Sequence, residues 1–263
     1  PVAAMRSELD DVNASDLSHR VTEPEGDDEV AQLARSINGT LARLERSSEQ
    51  QRQFASDASH ELRTPIAGLR AQLESAQLYP EDTDVPALVD SALRDTDRLE
   101  AIITDLLLLA RIGSRVDVVK ERVDLAGLVC EEISGRATDP HPVRLALAEG
   151  VVVAGIRMQL ARLLTNLIDN AERHAKSELF ITVSAEDGMA VLEVENDGED
   201  IAVEDRERIF ERFTRLDAAR SRDAGGTGLG LAIARDVAVA HRGTMTVEEG
   251  RSGPRFVLRL PAV

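Results

Sequence analysis

The chain contains one cysteine, Cys130, and no tryptophan. A single thiol can form neither an internal disulfide nor a CxxC pair, so a disulfide framework and a CxxC metal or redox site are both excluded. Aromatic residues make up only 2% of the sequence, so any core has to be built from leucine, valine, isoleucine and alanine. The segment LAGLVCEEI around the cysteine resembles an amphipathic helix, which predicts that Cys130 is a small core residue.

Long hydrophobic runs and clustered positive charge are also scarce. No stretch approaches the ~18 consecutive apolar residues that a membrane-spanning helix needs. No signal peptide is recognisable, and the chain begins at Pro1 without a methionine, which predicts a fragment of something longer. The net charge of −17 argues against a nucleic-acid partner, because phosphate binding needs clustered Lys and Arg.

The first half of the chain has helical periodicity. Two heptad-like stripes, each too short to bury itself, flank a polar connector and are expected to pair with those of a second copy. They comprise Val2, Met5, Leu9 and Val12, and then Val30, Leu33, Ile37, Leu41 and Leu44. From about residue 46 to 112, two amphipathic stretches separated by YPEDTDVP predict a helical hairpin with a wide apolar face. Such a hairpin also favours a homodimer, in which two hairpins form a four-helix bundle.

After residue 120 the pattern changes to short β-rich runs. These runs are VRLALA, VVVAGI, LFITVSA, AVLEVEN, TMTVEE and RFVLRLP. Helical segments are predicted between them, near residues 124–136, 157–175 and 229–241. Strands and helices mixed over about 140 residues indicate a separate α/β unit.

The stretch SDASHELRTP places His60 beside Glu61 within a predicted helix. A zinc protease motif, HExxH, would need a second histidine where Thr64 stands, so that interpretation fails. An ordinary surface histidine is one remaining alternative. The other is a nucleophile, because a neutral imidazole has a free nitrogen lone pair and an adjacent carboxylate can orient the ring or take its proton.

Two further patterns in the α/β unit favour a polar, anionic ligand. AGGTGLGLAIA opens into a helix, and glycine-rich backbone before a helix N-terminus can bind phosphate. It is neither a Walker A loop nor a dinucleotide-binding fingerprint. On the helix LLTNLIDNAERHA, Asn166 and Asn170 lie one turn apart where asparagine is disfavoured, and an asparagine oxygen can ligate Mg²⁺.

These motifs together resemble those of the sensor histidine kinases. SHELRTP, LLTNLIDNAERHA, ENDGEDI, RIFERFTRLD and GGTGLGLAIARDVA occur in that family's order, and residues 1–46 are similar to a HAMP linker. The resemblance implies a multi-domain fold. An α-helical HAMP linker (1–48) and a helical-hairpin dimerisation and phosphotransfer domain (49–113) would precede an α/β sandwich that binds ATP (114–263).

The resemblance also implies roles for particular residues. His60 would accept the phosphoryl group from Mg-ATP and pass it to an aspartate of a response regulator, with Glu61 as base and Thr64 positioning water for regulator dephosphorylation. Asn170 would bind Mg²⁺. The nucleotide would contact Asn166, Arg173, His174, Asn196, Gly198, Gly226, Thr227, Gly228, Leu229 and Gly230. Phe210 and Phe213 would anchor a mobile lid between about Ala202 and Gly225, and a transmembrane segment upstream would anchor this cytoplasmic portion of a bacterial sensor.

The first glycine motif departs from the family's Asp-x-Gly-x-Gly pattern. Gly198 and Ile201 fix an alignment that places Asn196 at the aspartate position and Asp200 at the second glycine. Using Asp197 instead would place Glu199 at the first glycine. An active kinase and a nucleotide-weakened scaffold or phosphatase therefore both remain open, whereas a coiled-coil structural protein would explain only the first 112 residues.

Overall fold

The computed structural model describes residues 6, 8, 18–24, 26, 28–112, 120–136, 141–214, 216 and 228–263. The chain divides into two units, residues 1–63 and 64–263, and helix α1 (Glu29–Leu78) contributes residues to both. The four residues of the first predicted stripe, Val2, Met5, Leu9 and Val12, lie outside the described residues. None of the helices in the described ranges is both long and apolar enough to cross a membrane.

In the first unit, short polar contacts fix the chain that leads into helix α1. Asn38 accepts a hydrogen bond from the Val21 nitrogen and donates one to the Val21 oxygen, both at 2.9 Å. Val21 is thereby buried against Ala34. The Asp28 carboxylate accepts a bond from the Ala31 nitrogen at 2.9 Å, as a helix-capping residue does. Leu33 of the second predicted stripe stays exposed.

The second unit begins with the rest of a helical hairpin. Helix α1 continues through Pro65, and a 3-10 turn (Pro80–Asp82) joins it to helix α2 (Val85–Ile112). The Asp84 carboxylate accepts a hydrogen bond from the Ala87 nitrogen at 3.1 Å, which caps helix α2. Large apolar side chains remain exposed along both helices; they are Ile66, Leu73, Val89, Leu93, Ile103 and Leu107.

The remainder of the second unit is an α/β sandwich. A five-stranded sheet has the order β2-β4-β5-β7-β6, and β2 pairs with β4 in parallel while the other pairs are antiparallel. Strands β1 and β3 form a separate antiparallel pair. The strands are β1 (Glu121–Asp124), β2 (Val143–Leu147), β3 (Val152–Gly155), β4 (Leu179–Glu186), β5 (Met189–Asn196), β6 (Thr244–Glu249) and β7 (Pro254–Pro261). The helices are α3 (Leu125–Ser134), α4 (Arg157–His174) and α5 (Gly230–Ala240).

Aliphatic side chains fill the space between the sheet and the helices. Helix α4 packs against strand β5 and helix α5, and α5 packs against strand β6. The fully buried residues include Leu164, Leu167 and Ile168 of α4 and Leu179 and Ile181 of β4. The predicted α/β sandwich with an aliphatic core is therefore confirmed.

The prediction that Cys130 belongs to the core is wrong, because its side chain is exposed. Helix α3 buries Leu125, Leu128 and Val129. Successive helical residues are rotated by about 100°, so the residue that follows Val129 turns away from the core.

Candidate active site

Both glycine motifs pack against helix α4. Near its middle, Asn166 faces the start of helix α5, where a Cβ placed on Gly230 would lie 3.4 Å from the Asn166 Cγ. At its C-terminal end, the His174 carbonyl oxygen lies so close to Gly198 that a Cβ there would be only 2.2 Å away. Residues at the end of β5, the end of α4 and the start of α5 therefore surround one region of the sandwich.

Two buried asparagines in this region have amide atoms without a partner in the structure. Asn196, the last residue of β5, is 0% exposed, and neither its Oδ1 nor its Nδ2 makes a hydrogen bond. The Nδ2 of Asn166 is also buried and unsatisfied. Each unsatisfied buried group costs roughly 1–3 kcal/mol, so such groups require an explanation. A polar ligand that enters the region would supply the missing partners, and the residues present fit a nucleotide.

The last turns of helix α4 carry the other predicted ligands. Asn170 is half-buried one turn beyond Asn166, while Arg173 and His174 are exposed in the final turn. Desolvation, and secondarily the charge of Arg173, lowers the pKa of His174. This downward shift favours the uncharged imidazole, which can donate or accept a hydrogen bond.

The second glycine motif is described from Gly228 onward. Gly228 has a φ of 69°, and its oxygen accepts a hydrogen bond from the Phe213 nitrogen at 2.8 Å. A Cβ on Gly228 would lie 2.8 Å from the Phe213 Cα, so only glycine fits there. Leu229 is fully buried, and Gly230 begins helix α5, whose N-terminus favours an anion. Gly226 and Thr227 lie outside the described residues, as do residues 215 and 217–225 of the predicted lid.

Phe210 ties the chain before this segment to the core. Its ring meets Phe256 edge to face, with the centroids 6.5 Å apart, and the Arg235 guanidinium lies 5.3 Å from its centre. Phe210 is thus an ordinary core residue, and it also attaches this part of the chain to strand β7. Phe213 is half-buried and has a φ of 61°, which is uncommon for a residue with a side chain.

The predicted phosphoacceptor residues lie on helix α1. His60 is exposed, Glu61 follows it and is half-buried, and Thr64 is exposed four residues after His60. His60 and Glu61 belong to the first unit, whereas Thr64 and the predicted nucleotide ligands belong to the second. An exposed imidazole on a helix is open to an incoming electrophile, as a nucleophile has to be.

The structure also shows structural roles for polar residues that no sequence motif indicates. The Asp197 carboxylate accepts hydrogen bonds from the backbone nitrogens of Lys176 and Ser177, at 2.8 and 3.0 Å, and from the Ser177 hydroxyl. The Ser177 hydroxyl bond and these backbone bonds hold the pKa of Asp197 well below its usual value. Glu195 and Asp105 likewise bond to residues far away in the sequence. No local pattern marks such pairs, because the partners are brought together only by the fold.

An ion-pair cluster fixes helix α4 to helix α3. The Arg136 guanidinium contacts Glu132 on α3 and Asp169 and Glu172 on α4, at distances of 2.6 to 3.2 Å. Desolvation lowers the pKa of Arg136, but the hydrogen bond and charge of Asp169 and the charge of Glu172 outweigh it, so the net shift is upward. Asp169 precedes Asn170, so the cluster holds the turn of α4 that carries this predicted metal ligand.

Comparison with known proteins identifies the family. The chain is 37% identical over 260 residues to the probable sensor histidine kinase TcrY of Mycobacterium tuberculosis, across 93% of this chain and 55% of that protein. Three family models match in order: the HAMP domain at residues 1–46, the His Kinase A (phospho-acceptor) domain at 50–115 and the histidine kinase-, DNA gyrase B- and HSP90-like ATPase at 155–263. The chain belongs to the sensor histidine kinases.

Solved structures agree with this assignment. The histidine kinase AdeS of Acinetobacter baumannii superimposes with a TM-score of 0.64 at 25% identity, over 77% of this chain and 97% of that one. Full-length ShkA in complex with AMPPNP superimposes with a TM-score of 0.58 at 25% identity, over 81% of this chain and 46% of that one. The kinase chain spans about half the length of its relative TcrY.

Proposed function

We propose that this kinase segment transfers a phosphoryl group from ATP to His60 and then to an aspartate of a response regulator. The observation that carries the proposal is Asn196, whose amide is completely buried and has no partner in the structure, at the end of β5 within the ATPase family match. The AMPPNP in the ShkA complex supports the same assignment, because AMPPNP is an ATP analogue.

Separate groups of residues would bind the base, the phosphates and the metal. Asn196 and Gly198 would hold the adenine, Asn166, Arg173 and His174 would line the nucleotide, and residues 226–230 would contact the phosphates. ATP would supply the phosphoryl group, and Asn170 would hold Mg²⁺, which would neutralise the charge of the phosphates. Asn170 is half-buried and follows Asp169 of the ion-pair cluster, so its side chain is not fully enclosed and remains accessible to a metal.

At His60 the proposed step is an in-line displacement. The lone pair of one ring nitrogen forms the new N–P bond while the bond to the ADP oxygen breaks, and ADP leaves with that electron pair. Glu61 takes the proton from the other ring nitrogen, so the phosphorylated ring returns to neutrality. The aspartate of the regulator then displaces the imidazole.

The domain limits and partners follow from the same assignment. We place the HAMP linker at 1–48, the dimerisation and phosphotransfer domain at 49–113 and the ATP-binding domain at 114–263. The exposed apolar side chains of α1 and α2, Ile66 and Val89 among them, support a homodimer built on the hairpin. The HAMP match supports a cytoplasmic location in a membrane-anchored sensor.

The decisive experiment incubates the chain with γ-labelled ATP and Mg²⁺. We expect an acid-labile, alkali-stable label, which His60→Gln abolishes while calorimetric binding of AMPPNP remains unchanged. Label that persists on His60→Gln would show that a different residue accepts the phosphoryl group. A chain that binds AMPPNP and accepts no label, yet dephosphorylates the regulator, would instead support the alternative of a scaffold or phosphatase.

A further inference from the structure

Strand β5 ends in three consecutive polar residues, Glu195, Asn196 and Asp197. The side-chain amide of the central asparagine has no hydrogen-bond partner, whereas both flanking carboxylates bond to backbone nitrogens of loops that are distant in the sequence. The two loops are residues 176–178, which join α4 to β4, and residues 250–253, which join β6 to β7. The two residues that flank the unpaired amide thus each hold a separate loop at the end of β5.

Asp197 holds the loop after helix α4. One of its oxygens accepts bonds from the nitrogens of Lys176 and Ser177, at 2.8 and 3.0 Å, and the other accepts the Ser177 hydroxyl. This loop follows directly from His174, whose carbonyl oxygen packs against Gly198. Asp197 therefore sets where the C-terminal end of α4, with its predicted nucleotide ligands, meets the end of β5.

Glu195 holds the turn between β6 and β7. It is only 6% exposed, and its Oε1 accepts bonds from the nitrogens of Arg251 and Ser252, at 2.6 and 3.1 Å. The next residue, Gly253, packs closely on the end of β5. A Cβ placed on Gly253 would lie 2.4 Å from the backbone carbonyl oxygen of Asn196. Glu195 therefore presses the turn against the backbone of the residue that carries the unpaired amide.

We propose that Glu195 and Asp197 are positioning residues for the nucleotide, which fix the place and orientation of the Asn196 amide from two sides. The inference rests on the proposed function, in which the side-chain Oδ1 of Asn196 accepts a hydrogen bond from the adenine amine. An asparagine amide exposes an acceptor and a donor that exchange places when it turns over. Because no protein group bonds to this amide, only the surrounding chain can select the orientation that suits adenine.

The test compares binding of AMPPNP and of its guanine counterpart to the full chain by calorimetry. Asp197→Ala and Glu195→Ala remove the carboxylates, and Asp197→Asn and Glu195→Gln retain an oxygen that can accept the backbone bonds. Asp124→Ala is the matched control, because the Asp124 carboxylate also accepts two backbone bonds, at 3.2 and 3.3 Å, but caps helix α3. Thermal unfolding and hydrogen exchange of residues 176–178 are measured on each variant.

We expect the two alanine variants to raise the Kd for AMPPNP about tenfold, equivalent to ~1.4 kcal/mol, and to lose a similar part of their preference for adenine over guanine. The amide variants should stay within about threefold of the parent. Asp197→Ala should also speed exchange in residues 176–178. Asp124→Ala should lower the unfolding temperature without changing either affinity.

Alanine variants that are destabilised like Asp124→Ala, yet keep the parent's Kd and base preference, would overturn the inference and leave the proposed function standing. A parent that binds no AMPPNP would overturn both. If Asp197→Ala does not fold, Ser177→Ala tests the positioning role of Asp197 instead. This variant removes only the hydrogen bond between the Ser177 hydroxyl and the Asp197 carboxylate. A Kd that rises about threefold supports the positioning role, and an unchanged Kd contradicts it.

Discussion

The carboxylate of Asp105 on helix α2 accepts hydrogen bonds from both Nε and Nη2 of Arg162 on helix α4, with 2.8 Å to Nε. Asp105 is 3% exposed. Helix α2 lies within the phospho-acceptor family match and helix α4 within the ATPase match, so this pair joins the two domains. Burial raises the pKa of Asp105, and the charge of Arg162 offsets that shift only in part.

Removing the arginine should therefore destabilise the kinase. We expect Arg162→Met to lower the unfolding free energy by about 2 kcal/mol at pH 7, because it leaves a buried carboxylate without its partner. The loss should shrink as the pH falls toward about 4, since protonation removes the buried charge while the unfolded carboxyl ionises near 3.9. Urea unfolding followed by circular dichroism measures both effects.

Arg157→Met is the control for this variant, because Arg157 also lies on α4 but pairs with Glu131 at the surface, where such pairs contribute less than about 1 kcal/mol. The double variant Asp105→Leu with Arg162→Met should recover most of the loss, since it leaves no buried charge. Equal stability of Arg162→Met and Arg157→Met at pH 7 would contradict the prediction.

His241 should make the stability of the ATP-binding part depend on pH. Its Nε2 accepts a hydrogen bond from the Ile156 nitrogen at 3.0 Å, so Nδ1 carries the proton and donates to the Val237 oxygen at 2.8 Å. Burial lowers the pKa of His241, which the Val237 bond partly opposes. The unfolded chain therefore binds the proton more readily, and stability should fall as the pH drops below about 6.5 toward the lower folded pKa.

His241→Leu should flatten that pH dependence and cost about 2 kcal/mol at pH 7.5, because the Ile156 nitrogen loses its acceptor. Urea titrations between pH 5 and 8 measure both effects, and His141→Gln provides a control at a half-buried histidine. A parent chain whose unfolding free energy is constant over this range would show that the neutral ring is not needed.

Asn170→Ala should reduce autophosphorylation by at least about 100-fold, since charge neutralisation by a metal contributes several kcal/mol. Folding should change little, because Asn170 is only half-buried. Asn170→Asp keeps an oxygen ligand and should retain most of the activity. The assignment is wrong if Asn170→Ala keeps the parent's rate at saturating Mg²⁺.

Thr64→Ala should leave autophosphorylation intact and slow dephosphorylation of the regulator by about 100-fold, a typical loss when a residue that directs water is removed. Thr64 is exposed one helical turn beyond His60, where a hydroxyl can orient water at the same face. Thr64→Ser retains the hydroxyl and should retain the phosphatase rate. A parallel loss of both activities would instead indicate structural damage.

Much of the fold follows from periodicity in the sequence. The predicted helices near residues 157–175 and 229–241 match α4 and α5 within one residue, because their apolar residues recur at helical spacing between recognisable breaks. Six of the seven strands in the described part of the chain match predicted β-rich runs. Strand β1, with the sequence ERVD, was missed because only Val123 is buried and four mostly polar residues carry no alternation.

The contacts that organise the site were less predictable. Asp105 interrupts an apolar stripe, and its partner is 57 residues away, while the partners of Glu195 are 56 and 57 residues away. Hydrogen bonds of this kind depend on how the elements pack, which local propensity does not encode. Asn196 could be singled out only by its place in a motif, since nothing in the sequence shows that its amide is buried without a partner.

The hydrogen bond between Phe213 and Gly228 closes a loop whose length can change at little cost in free energy. Both ends of the 214–227 segment meet at one point, joined by a 2.8 Å hydrogen bond and close backbone packing. Closing a longer loop costs only about 0.6 kcal/mol for each doubling of its length. A protein engineer can therefore lengthen this segment ahead of Gly226, the first residue proposed to contact the phosphates, while the sheet and helix α5 keep their own stability.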